Sequence, residues 1–176
     1  MAPPVSTCRR PNHVMKTIIV GLGNPLLGDD GVGWRVAEQV RDQLAELTTS
    51  APVEVECLSL GGLSLMEHLV GYERAILIDA ITTAENPLGS VACFPLEDLP
   101  NRAAGHLSSA HDTTLQTALR VGRSMGAQLP EQIIIVAVES QNVYDFSEQL
   151  SPPVAEAVPL AVQAVLRQLI IREENL

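Results

Sequence analysis

The sequence predicts an α/β fold: a three-layer sandwich with a single, mostly parallel, twisted sheet of about five strands flanked by helices. Three observations carry this. Apolar, β-branched runs alternate with segments of helical periodicity, the order that yields parallel strands joined by crossover helices. Of 176 residues 46% are hydrophobic but only 3% aromatic, so the core is aliphatic, as in strands buried on both faces. No repeat, linker or low-complexity block divides the chain, whose length suits one domain.

The elements follow in order. Residues 1–14, "MAPPVSTCRRPNHV", are Pro-rich and aperiodic and read as a flexible extension, leaving 15–176 as one α/β domain. Arg9-Arg10 raises the idea of a twin-arginine export signal. The apolar stretch behind it is short, glycine-rich and interrupted by Asp29 and Asp30, so it reads as a first strand, 16–21. A glycine turn leads to a helix over 30–47 with Val32, Val36, Val40 and Leu44 on one stripe and Asp30 at the N-cap position. "PVEVECLSL" (52–60) is a second strand, and "GGLSLMEHLVGY" (61–72) a turn and short helix. "RAILIDAI" (74–81) is a buried strand ending on Asp79, and "GSVACFPL" (89–96) is its neighbour. Residues 111–126 form a helix with Leu115, Ala118, Leu119 and Met125 on its apolar side and Gly126 at its C-terminus. "QIIIVAVES" (132–140) is the last core strand, and a helix from Pro152 to about residue 173, with Pro159 as a possible kink, closes the domain.

A formal charge of −10 argues against nucleic acid as a partner, because phosphates are repelled. The longest apolar runs, such as 133–138, fall well short of the roughly 20 residues a membrane span needs. Cys8, Cys57 and Cys93 form no CxxC pair. Cys57 and Cys93 lie in strand-like runs and read as buried free thiols, which favours a reducing, cytoplasmic setting.

Functional groups of parallel sheets gather at the carboxyl ends of strands. Asp29 and Asp30 follow the first strand, Asp79 ends the third, Glu139 ends the last, and His106 and His111 follow the fourth. Taken singly, Asp30 reads as an N-cap, Asp79 as a turn residue, His111 as a helix-start group and Glu139 as a solvated strand end; His13 and His68 read as surface residues. Brought to one rim, two carboxylates and an imidazole would make a partly filled metal site with open positions. The turn "GLGNPLLGDDGVG" (21–33) is not a phosphate cradle. Leu26 stands where a third glycine is needed, no Gly-Lys-Ser/Thr follows, and two acids would repel a pyrophosphate.

Together these segments resemble the [NiFe]-hydrogenase maturation proteases, endopeptidases that trim the large-subunit precursor. The matching pieces are "GLGNPLLGDDGVG" (21–33), "LIDAI" (77–81), "SSAHDTTL" (108–115), "VAVES" (136–140) and "LSPPVAEAV" (150–158), spanning 15–169. The resemblance implies a metal-contacting, catalytic set of Asp30, Asp79 and His111. It also implies a substrate-recognition turn at Gly61 and Gly62, where "LSLGGLSL" departs from the family's acidic-Gly-Gly-Thr; Ser140 likewise replaces a frequent Pro. It further implies nickel carried in by the precursor, although another divalent ion could occupy such a site. Two rivals remain open. A non-catalytic chaperone of the precursor would use the same residues. A peptidyl-tRNA hydrolase shares "VGLGNP" (20–25) but would need a His-Asn pair and a basic face.

Overall fold

A computed structural model describes residues 15–46, 51–99, 114–141 and 143–170. Its strands are β1 (Thr17–Leu22), β2 (Val53–Leu58), β3 (Arg74–Ile81), β4 (Val91–Pro95) and β5 (Gln132–Glu139). Its helices are α1 (Val32–Ala45), α2 (Gly62–His68), α3 (Leu115–Ser124) and α4 (Pro152–Ile170), with a 3-10 turn at Gly28–Gly31. The sheet order is β2-β1-β3-β5-β4. All pairs are parallel except β4 with β5, where Val91 lies opposite Val138 and Pro95 opposite Ile134.

The two-residue side-chain period of strands sends alternate residues to opposite layers. Ile18, Val20 and Leu22 of β1 face Leu65 of α2, Leu69 just after it, and Leu115 and Leu119 of α3. Ile19 of β1 and Ile76 and Ile78 of β3 face Val32, Val36 and Val40 of α1 and Val154, Val158 and Val162 of α4. The sandwich is therefore α2–α3, sheet, α1–α4, as the alternating pattern predicts. Helix α4 runs on through Pro159, whose side is exposed. No helix of the described residues is long and apolar enough to cross a membrane.

Four expectations are corrected. Strand β4 neighbours β5 and not β3, because β5 inserts between them. Cys93 is exposed and Cys57 only half-buried, because β4 and β2 are the two edges of the sheet. Met125 is 80% exposed, since α3 ends at Ser124 and Gly126, at φ +85°, turns the chain away. Asp30 does not cap α1: the N-cap is Gly31, with no side-chain hydrogen bond.

Candidate active site

The turn after β1 is made possible by close backbone approach. Gly23 sits at φ +126°, and a Cβ there would lie 1.8 Å from the Asp30 carbonyl. A Cβ on Gly33 would lie 2.2 Å from the Leu22 carbonyl and 2.6 Å from that of Ile78, so only glycine lets α1 start directly on the ends of β1 and β3. The 3-10 turn is thereby held over these two central strands and touches β3.

Within that turn the two aspartates part company, since successive residues of a 3-10 turn point about 120° apart. The Asp29 carboxylate, fully buried, accepts from the Ser151 amide at 2.6 Å and from its hydroxyl at 2.9 Å, anchoring the start of α4. The Asp30 carboxylate, 6% exposed, turns back under the glycine turn and accepts from the Asn24 amide at 2.6 Å. One acid is thus a staple between β1 and α4, and its neighbour faces the turn at the rim.

Asp79 is fully buried within β3, not in a turn, and sits in phase with Leu77 and Ile81 on the α2–α3 face. Ile78 is level with Gly21 of β1, which places Asp79 one residue further toward the carboxyl rim. On the other side of β3, Ile81 is level with Glu139 of β5. Asp30, Asp79 and Glu139 therefore stand at the carboxyl ends of three adjacent strands.

Glu139 corrects a further expectation. It is 2% exposed rather than solvated, and its carboxylate accepts from the Thr83 amide (2.8 Å), the Thr83 hydroxyl (2.7 Å) and the Ala84 amide (3.0 Å). Ala84 holds a left-handed conformation at φ 57°, which a non-glycine residue keeps only when its surroundings enforce it. The Glu139 backbone meanwhile bonds Gly89 and Ser90 at the far end of the same loop. One residue thus pins both ends of loop 82–90, which leaves β3 just after Asp79. The clue in the sequence was phase: Glu139 continues the inward row of Ile133, Ile135 and Ala137.

Gly61 and Gly62 follow β2 at the same rim, where Gly61 is the N-cap of α2 and Gly62, at φ +50°, is buried. The Ser59 hydroxyl ahead of them donates to the Gly23 carbonyl at 2.6 Å, joining this turn to the one carrying Asp30. His111 and His106 lie outside the described residues, as do His13 and Cys8. Among the described residues no group of three or more His, Cys, Asp or Glu could hold a metal. Among the described residues no cysteine is primed as a nucleophile: burial pushes the Cys57 thiol up, and desolvation does the same at Cys93, away from the reactive thiolate.

An open α/β sheet with buried acids at the carboxyl ends of its central strands defines a rim-sited protein of the doubly wound kind. The family model for hydrogenase maturation protease matches residues 52–168, and the chain belongs to that family. It is a hydrolase of the endopeptidase class. The chain is 26% identical over 156 residues to the hydrogenase expression/formation protein HupD of Rhodobacter capsulatus, covering 88% of this chain and 71% of that one. It is also 26% identical to the hydrogenase 2 maturation protease of Escherichia coli, covering 88% and 91%. The hydrogenase maturating endopeptidase HybD from E. coli superposes with a TM-score of 0.68 at 23% identity, covering 91% and 94%, a likeness of fold. The hydrogenase 2 maturation peptidase from a Thaumarchaeota archaeon gives 0.60 at 26% identity, covering 88% and 97%.

Proposed function

We propose that this chain removes the C-terminal peptide of a [NiFe]-hydrogenase large-subunit precursor once nickel has been inserted, and that Asp30, Asp79 and His111 contact that nickel. The observation that carries the reading is the pair of buried carboxylates, Asp30 and Asp79, at the ends of the two central strands of a chain in this family. Nickel here is cargo of the substrate. Two carboxylates and one imidazole form a weaker, more exchangeable set than the His and Cys ligands of permanent sites. Such a set suits an ion that arrives with ligands of its own. When bound, such an ion would polarise the scissile carbonyl or acidify a water, or would serve only to position the peptide. Asp30 and Asp79 hold the loaded chain in register, and where the ion only positions the peptide a carboxylate at this rim serves as the base for the attacking water. The turn at Gly61 and Gly62, joined to the Asp30 turn through Ser59, lies beside the incoming peptide. The work is assigned to the cytoplasm, where a precursor would be assembled.

Incubation with nickel-loaded and nickel-free precursor tests this. Cleavage of the loaded form alone, seen as a shift on a gel, is the expected result. Equal cleavage of both removes the metal-recognition role, and tight binding without cleavage of either favours a chaperone.

A further inference from the structure

The chain holds one Trp, two Tyr and two Phe, and two of these five sit bare on one loop: Tyr144 is 82% exposed and Phe146 87%. Aromatic rings are the side chains whose burial yields most at interfaces, so leaving two in water is unfavourable unless a partner covers them. The loop itself is well held. Val143 and Leu150 pack onto the α1–α4 core, and the Arg35 guanidinium donates to the Glu148 carbonyl. Ser147 forms a parallel bridge with Leu27: its amide donates to the Leu26 carbonyl (3.0 Å) and its carbonyl accepts from Gly28 (2.7 Å). The loop is therefore fastened by backbone to the turn that carries Asp29 and Asp30, and Leu26, 43% exposed, stands at the join.

Resting on the reading that this chain processes a hydrogenase precursor, we propose that Tyr144, Phe146 and Leu26 form the docking surface for an apolar segment of that precursor flanked by Lys or Arg. The charge argues for that occupant. Asp145 and Glu148 are exposed beside the rings, in a chain of net charge −10. A second copy of the chain would bring the same acids face to face, and an anionic lipid surface would be repelled likewise. A cationic, apolar polypeptide segment satisfies both the rings and the acids. Since the loop is fixed before binding, little ordering cost offsets the contact.

The test is titration calorimetry with each [NiFe]-hydrogenase large-subunit precursor of the organism that encodes this chain, purified and probed in turn. The double variant Tyr144→Ser/Phe146→Ser should weaken binding about tenfold or more, as expected for truncating aromatic anchors. Asp145→Asn/Glu148→Gln should flatten the salt dependence of binding. Unchanged affinity in the aromatic variant overturns the proposal, as does the absence of any precursor binding by the wild type. A wild-type dimer in sedimentation that the aromatic variant converts to monomer overturns it in favour of a second copy. Cleavage, followed separately on gels, keeps the two readings apart. Wild type that binds but never cuts refutes the proteolytic reading and leaves docking standing. Wild type that cuts while the aromatic variant binds as tightly refutes docking alone.

Discussion

The two ends of the sheet are built differently. Near the amino ends of β3 and β5 an open cavity of about 660 Å³ is lined by Tyr72, Glu73, Arg123, Leu129 and Gln132. Two of its charged groups are spent on the fold. Glu73 accepts from the Lys16 amide at 2.5 Å, and Arg123 donates to the Pro130 carbonyl at 2.8 Å. The carboxyl ends instead hold four buried acids, Asp29, Asp30, Asp79 and Glu139, a tight glycine turn and a lip of exposed aromatics. A roomy concavity is a sound guide to a small-molecule site. For an enzyme that acts on another protein, buried charge on a shallow rim is the better guide, because the substrate brings its own walls.

The sharpest way to break that contrast is to neutralise the rim acids one at a time. Asp30→Asn and Asp79→Asn, nearly isosteric, should each reduce precursor cleavage at least about 100-fold, the scale of a lost catalytic carboxylate. Their circular dichroism should remain that of the wild type. Asp29→Asn should do the reverse, lowering stability by about 1–2 kcal/mol through its bonds to Ser151 while the folded variant still cuts. Cleavage that survives in both Asp30→Asn and Asp79→Asn would move the chemistry away from this rim.

How much of this was legible beforehand divides along physical lines. Strand–helix alternation and an aliphatic core are local signals, and they yielded the layers and the parallel sheet. Asp30 and Asp79 stood out because a glycine turn and a strand end mark them locally. Glu139 was placed at the same rim, but its burial and its role were not legible, because its partners Thr83 and Ala84 lie 56 and 55 residues earlier in the chain. The exposure of Cys93 was hidden for a related reason. Which strand becomes an edge is set by pairing order, and nothing within "VACFP" reports that. The parting of Asp29 from Asp30 depends on the 3-10 geometry of a four-residue turn, where the helical reading made Asp30 an N-cap and gave Asp29 no role of its own.

Glu139 gives the next effect in size, because its bonds hold loop 82–90. Glu139→Ala would strand the amides of Thr83 and Ala84, and Ala84 would lose what holds it at positive φ. A loss of about 2–3 kcal/mol in urea unfolding is expected, with reduced cleavage as loop 82–90 shifts beside Asp79. Glu139→Gln, which keeps an acceptor for both amides, should recover most of both. Equal losses in the two variants would mean that the negative charge, not the loop geometry, is what matters there.

The smallest effect belongs to the amino-end cavity, at Tyr72. Its hydroxyl donates to the Glu54 carboxylate, and Lys16 completes the cluster, 3.0 Å from Glu54 and 4.4 Å above the Tyr72 ring centre. Burial first, and then the bond to Glu54, pushes the Tyr72 pKa up from 10.0 to about 12. The group is neutral when protonated, and its pKa is raised on folding. Its contribution is therefore complete below about pH 10 and drains away as pH rises toward 12. Tyr72→Phe should lower the melting temperature at pH 8 by no more than about 2 °C, because a solvent-exposed pair is heavily screened. It should leave precursor cleavage untouched. Scans repeated toward pH 12 should show the gap between wild type and variant closing, since an ionised tyrosine beside Glu54 no longer helps the fold. If Tyr72→Phe instead impaired cleavage at neutral pH, the amino-end cavity would have a part in substrate binding, and the division between the two rims would fail.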